Sequence, residues 1–298
     1  RRIVEILQEL KVTNRLMKQS EITVECNPDS VRRKELRMLR KEGVNRLSIG
    51  AQSANDDILR LIGRRHNWRQ VEMAVKRARK AGFRNVSLDL IYGLPSQTRE
   101  DWADTLTKAL ALKPAHISCY GLRLEEGTPM YDEYEGTDIL PSDDDQADMY
   151  LYAVDFLSRH GFRQYEISNF AKPGYEGRHN LIYWDCGDYL GLGPAAHSCM
   201  GGKRFYYPAD TAAFLQDNAA PVMDGGCGAE DYLILQLRLR KGLSLPQYKA
   251  LYGKEFSPVQ LAFIRNCVKN GYAAFDGTTL ALTPAGLIVQ NSILAQLL

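Results

Sequence analysis

From Glu21 to Arg123 the chain repeats one pattern: a short apolar run, a polar residue at its end, a turn, and then apolar positions at helical spacing. The apolar runs are EITVECNP (21–28), NRLSIGAQS (45–53), NVSLDLIYGLP (85–95) and HISCYGLR (116–123). Helical periodicity fills about 30–42, 54–82 with a break near Gly63, and 98–112. Strands alternating with helices at this spacing predict a parallel sheet joined by right-handed crossovers. The expected class is α/β, specifically a partial (βα) barrel of the TIM type.

In such folds the C-terminal strand ends and the loops that follow them form the mouth of the site. Glu25, Gln52, Asp89 and Arg123 stand at or near those ends on four successive strands. Any one of them alone reads as a polar group bonding its own loop. The set of four predicts a shared cavity, and Arg64, just after the break at Gly63, lies close to it in the same reading. His66, His116 and His160 read as loop or strand-end residues.

Beyond Arg123 the pattern loosens. LEEGTPMYDEYEGTDILPSDDDQ is acidic and turn-rich and leads into a helix expected at about 142–160, started by Pro141 and Ser142. Its three consecutive aspartates suit the positive end of the helix dipole. FRQYEISNFA (162–171) reads as one strand. A composition shift at PVMDGGCGAEDY (221–232) separates an expected domain 1–225 from a second, 226–298. There, helices at about 230–240, 245–252 and 257–270, a hairpin turning at Asp276-Gly277 and a last helix from Pro284 predict a small winged-helix-like α+β domain.

Composition narrows the partners. With 298 residues and 45% hydrophobic content the chain can bury a large core, and its net charge of +2 carries no signature of nucleic acid. The winged-helix-like segment has seven Lys/Arg against four Asp/Glu, so it reads as a structural cap or docking module. Residues 60–84 hold nine Lys/Arg and one Glu, the pattern of a solvated helix face. No signal peptide or transmembrane segment is read; the charge-free run Gly277 to Leu298 is interrupted by Pro284, Gly286, Gln290 and Asn291. Six cysteines, none closer than 13 residues to the next, predict reduced thiols in a cytoplasmic protein. The opening RRIVEILQEL shows helical spacing without a preceding Met or capping residue, and reads as an N-terminally truncated chain.

EITVECNPDSV, GVNRLSIGAQS, GRRH, DLIYGLPSQT, YEISNFA, HNLIYW and YLGLGPAAHS occur in this order. Together they resemble the radical S-adenosylmethionine proteins related to oxygen-independent coproporphyrinogen III oxidase. HNLIYW is similar to the H-N-x-x-Y-W signature of the haem-chaperone branch. The resemblance implies that Glu25, in its E-x-N-P turn, and Gln52, Arg64 and Asp89 contact S-adenosylmethionine, with Arg123 and His197 in the same region. An Arg fork suits a carboxylate, and Asp suits ribose hydroxyls. For His179 the resemblance implies an axial nitrogen for haem, with Tyr183 and Trp184 on the macrocycle face. The residues alone equally allow His179 to bond a neighbouring strand while Trp184 fills core.

The resemblance also implies a 4Fe-4S cluster held by C-x-x-x-C-x-x-C, and a glycine-rich turn after it. Neither is in this sequence, and none of its six cysteines has the spacing to substitute. Cluster and S-adenosylmethionine are therefore expected of the complete protein, and this chain alone is expected to be inactive as an enzyme. Two functions follow from the resemblance. One is haem capture and delivery to a recipient protein. The other is the oxidative decarboxylation of a porphyrinogen's propionates to vinyl groups.

Overall fold

The computed structural model describes residues 2–13, 16–17, 19–216 and 218–298. The chain divides into two compact units, Arg1–Gln164 with Ser168–Glu176, and Tyr165–Ile167 with Gly177–Leu298.

The first unit opens with α1 (Arg2–Val12) and then alternates: β1 (Thr23–Cys26), α2 (Arg33–Lys41), β2 (Arg46–Gln52), α3 (Asp56–Leu61), α4 (Trp68–Lys80), β3 (Asn85–Tyr92), α5 (Arg99–Ala111) and β4 (His116–Gly121). After α6 (Pro129–Tyr134) and α7 (Asp143–Arg159) come β5 (Arg163–Gln164) and β6 (Asn169–Ala171). The sheet order is β1-β2-β3-β4-β6-β5. β1 to β4 pair in parallel, whereas β6 runs antiparallel to β4 and β5 antiparallel to β6. The sheet is open, with β1 and β5 at its edges. The single strand expected over 162–171 is two, because residues 165–167 leave the ladder and belong with the second unit.

Alternation along the strands gives the sheet two chemically different faces. Leu47, Ile49, Val86, Leu88, Leu90 and Ile117 are fully buried, in one cluster with Val71 and Ala78 of α4, Trp102 and Leu106 of α5, and Leu157 of α7. Each large side chain so buried contributes about 1.5–3 kcal/mol. Trp102 keeps its indole N–H satisfied by donating to the Met149 carbonyl at 2.8 Å. Helix starts are fixed by capping: Asn67 with Gln70 at α4, and Thr98 with Asp101 at α5. Ser142 caps α7 through the Asp145 N–H, with Asp143, Asp144 and Asp145 in its first turn.

The second unit carries α8 (Arg178–Trp184), β7 (His197–Met200), β8 (Lys203–Tyr206), α9 (Thr211–Leu215) and β9 (Val222–Gly226), the three strands forming one antiparallel sheet. Then follow α10 (Ala229–Gln236), β10 (Leu243–Ser244), α11 (Leu245–Tyr252), α12 (Pro258–Lys269), β11 (Ala273–Phe275), β12 (Thr279–Leu282), α13 (Pro284–Ile288) and α14 (Gln290–Leu297). The β11–β12 hairpin turns where expected. The Asp276 carboxylate accepts from the Thr278 and Thr279 N–H groups, and Gly277 takes the left-handed φ of 92°. The last helix breaks at Val289 into two. Among the described residues no helix is long and apolar enough to cross a membrane.

Candidate functional site

The second face of the first unit's sheet is polar. Its registers run Glu25↔Ser48↔Ser87↔His116 and Gly50↔Asp89↔Ser118. At the strand ends this face opens into a cavity of about 420 Å³ lined by Glu25, Gln52, Arg64 and Asp89 together with Ser48 and Gly50. Four of the six residues expected around S-adenosylmethionine thus meet at one cavity. Arg123 is exposed beyond the end of β4 and does not line it. His197 is an exposed residue of the second unit, in β7, with its ring stacked on Tyr206 at 5.0 Å.

Two backbone features shape the rim. The β2–β3 register slips between Gly50 and Gln52, and Gln52 takes a left-handed φ of 63°. A non-glycine residue held there stores strain that the surrounding structure must impose. At Gly50 a Cβ would come within 2.8 Å of the Gln52 amide nitrogen, so the bare backbone is what lets the amide fold across the strand end.

Asp89 is the electrostatic centre. Burial pushes its carboxyl above the usual carboxylate range, and hydroxyl donors from Ser48 and Ser118 partly oppose that rise. Ser48 Oγ lies 2.8 and 2.9 Å from the two carboxylate oxygens and donates to them. Cys26 beside it has its thiol pushed up to about 11, first by burial and then by the Glu25 charge. One row deeper, Ser87 Oγ stands 2.8 Å from His116 Nδ1, with Arg46 Nη2 at 3.4 Å. Burial, assisted by the Arg46 charge, drives His116 down to about 3, so it is neutral at physiological pH. His116 is thus the strand-end residue expected, at the start of β4, and a buried member of the polar row. His66 is buried too, its Nε2 3.2 Å from the Ala51 carbonyl oxygen, whereas His160 is exposed.

At the row's far end Thr23, Arg46 and Asn85 stand in register. Thr23 Oγ1, Arg46 Nε and Asn85 Oδ1 are buried without a hydrogen-bond partner among the described residues. A face this rich in donors and acceptors suits a polar guest and not an apolar one. Ser48, Ser87 and Ser118 were not singled out from sequence; the period-2 alternation through Asp89 was the available signal.

The second candidate element is α8, whose sequence is RHNLIYW. His179 and Tyr183 are one turn apart, so their side chains stack on one face. The Tyr183 hydroxyl and His179 Nε2 are 2.6 Å apart, and His179 is exposed. Tyr183 also meets Tyr189 edge-on at 4.5 Å. Trp184 faces elsewhere: Arg238 lies over its ring at 5.5 Å, and Gln236 Nε2 donates to its carbonyl at 2.9 Å. The indole N–H is buried without a hydrogen-bond partner among the described residues. His179 and Tyr183 thus form a pair, and Trp184 packs toward α10. Among the described residues no group of three or more His, Cys, Asp and Glu could hold a metal ion.

Comparison with known proteins gives this geometry a family. A model described as the radical SAM superfamily matches residues 1–109, and one described as the HemN C-terminal domain matches residues 229–289. The "Heme chaperone HemW" of Bacillus subtilis is 34% identical over 297 residues, 95% of this chain and 78% of that protein. The protein of the same name from Lactococcus lactis is 34% identical over 287 residues, 93% of this chain and 75% of its own. The mouse mitochondrial "Radical S-adenosyl methionine domain-containing protein 1" is 44% identical over 179 residues, 60% of this chain and 40% of that one. The structure of Escherichia coli coproporphyrinogen III oxidase (HemN) superposes with a TM-score of 0.82 over 99% of this chain and 73% of that one. At 22% identity this likeness shows the shared fold. With a relative similar along nearly its whole length, and both domain models matched in order, the chain belongs to the HemW family of radical S-adenosylmethionine proteins.

Proposed function

We propose that this chain binds haem at the α8 face and passes it to a recipient protein in the cytoplasm. The observation that carries the reading is the His179–Tyr183 pair: an exposed imidazole with its Nε2 2.6 Å from the hydroxyl of a phenol one helical turn away. An imidazole nitrogen is a common axial ligand of haem iron. Exchange of the Tyr183 hydroxyl for iron would free the phenol to pack at the macrocycle edge, with Tyr189 behind it. Trp184 contributes from the other side, by fastening α8 to α10. The name of the Bacillus subtilis and Lactococcus lactis relatives supports haem as the cargo.

The polar cavity of the first unit fits S-adenosylmethionine, which when bound supplies a sulfonium and an adenosyl group. In this reading Arg64 pairs with the ligand's carboxylate. Asp89, held by Ser48, accepts from ribose hydroxyls, and Glu25 and Gln52 bond the remaining polar edges. The described residues do not fit a 4Fe-4S cluster, and no chemical step is assigned through one. Residues 1–225 are proposed as the S-adenosylmethionine domain with its extension, and 226–298 as a separate C-terminal domain.

Titration of the chain with haemin tests the proposal. A saturable shift of the Soret band, followed by transfer of the haem to an apo-haemoprotein, is the expected result. A Soret spectrum indistinguishable from free haemin at all ratios would overturn it.

A further inference from the structure

Three cysteines far apart in sequence converge in the second unit. Cys186 follows α8, Cys199 sits in β7, and Cys227 stands between β9 and α10. The Cys199 and Cys227 sulfurs are 3.8 Å apart across 28 residues of chain, and Cys186 lies close enough for its thiol to feel both of them. Cys199 is fully buried, whereas Cys186 and Cys227 are partly exposed. Cys186 holds a left-handed φ of 51°, a conformation that a non-glycine residue adopts only when its surroundings impose it. The other three cysteines have no such partners: Cys26 lines the polar cavity, and Cys119 and Cys267 are buried in separate cores.

Small apolar packing explains one buried thiol, but it does not explain two sulfurs brought together from separate segments with a third thiol beside them. We propose that this cluster is a modification site, at which a peroxide converts Cys199 and Cys227 to a reversible disulfide. The part-exposed Cys227 meets the oxidant first. Its sulfur attacks a peroxide oxygen, the O–O bond breaks, and one water leaves as Cys227 becomes a sulfenic acid. The Cys199 sulfur then attacks the Cys227 sulfur; the S–S bond forms, the S–O bond breaks, and the Cys199 proton leaves with the hydroxyl as a second water. Overall the two thiols lose two electrons and two protons, and the peroxide is reduced to two waters.

Burial pushes the Cys199 thiol up to about 11 and the Cys186 thiol to about 12, which keeps both protonated. Within the Cys199–Cys227 pair it is Cys227 that is part-exposed, so an oxidant reaches it first. Closing the 3.8 Å gap takes a small rotation of two side chains toward bonding distance. The crosslink would tie β7 to the segment that enters α10. The Cys199 backbone exchanges both hydrogen bonds with Tyr189, at 2.8 and 2.9 Å, so the site adjoins the residue that backs Tyr183.

The test uses the whole chain, treated in native buffer with hydrogen peroxide, alkylated, digested without reduction and read by mass spectrometry. The expected product is a peptide pair linking Cys199 to Cys227, lighter by two hydrogens and released by dithiothreitol. Cys199→Ser and Cys227→Ser should each abolish it, while Cys186→Ser leaves it intact. Full alkylation of all three thiols after peroxide would overturn the proposal. So would a Cys227 that proceeds to sulfinic acid without a link, or a link seen only in urea.

Discussion

Replacing Ser48 by Ala isolates the contact that holds Asp89 in place. Ser48 is buried, and its hydroxyl lies 2.8 and 2.9 Å from the Asp89 oxygens. A hydrogen bond to a charged acceptor contributes about 1.5–3 kcal/mol. Loss of the donor should therefore cost about 2 kcal/mol, roughly thirtyfold in the folding constant. The cost depends on pH with a definite sign. Asp89 has a carboxyl already raised by burial, so the folded chain holds that proton more tightly than the unfolded chain does. Its ionisation weakens stability as pH rises through the raised value. Without Ser48 the value rises further, so the variant's deficit is larger above the raised value, where Asp89 is ionised, than below it, where Asp89 is protonated. Urea unfolding followed by tryptophan fluorescence reads this directly, since Trp68 and Trp102 both report on the first unit. In an Asp89→Asn background the same substitution should cost less, giving a coupling of about 1–2 kcal/mol. A cost below about 0.5 kcal/mol, a cost that does not change with pH, or zero coupling would refute the reasoning.

Three further outcomes follow from the same geometry. At Gln52, whose φ is 63°, Gly should be more stable than Ala by about 1 kcal/mol, measured by urea unfolding; equal stability would remove the strain from the account. Both variants should weaken S-adenosylmethionine binding in calorimetry by about tenfold, through loss of the amide. His116 is held far below its usual value, so its stabilisation is present above about pH 6.5 and is lost as pH falls. Wild type should accordingly lose about 3 kcal/mol more than His116→Asn between about pH 6.5 and pH 4, read from unfolding midpoints.

Much of the first unit was legible because its strands are short, regular and apolar on one face only. Leu47, Ile49, Leu88 and Ile117 alternate with Ser48, Ser87, Asp89 and Ser118, so period-2 patterning located the strands and their polar ends together. The convergence of Glu25, Gln52, Arg64 and Asp89 followed from parallel topology, which brings successive strand ends side by side. The strand expected over 162–171 failed at residues 165–167, where pairing of Glu166 with Leu239, far along the chain, overrode local propensity. α8 was equally opaque. HNLIYW names the candidate residues, but only three-dimensional packing turns Trp184 toward Arg238 and pairs His179 with Tyr183. The thiol cluster left no trace in spacing, because its three members come from separate segments.

Haem binding at α8 depends most heavily on His179. Haemin titration of wild type and His179→Ala, followed at the Soret band, is the direct measurement. The account expects affinity to fall at least about tenfold, worth about 1.4 kcal/mol, with loss of the imidazole-ligated spectrum. Trp184→Phe, which leaves the His179–Tyr183 pair in place, should keep that spectrum. Unchanged affinity and an unchanged spectrum in His179→Ala would contradict the assignment of haem to α8.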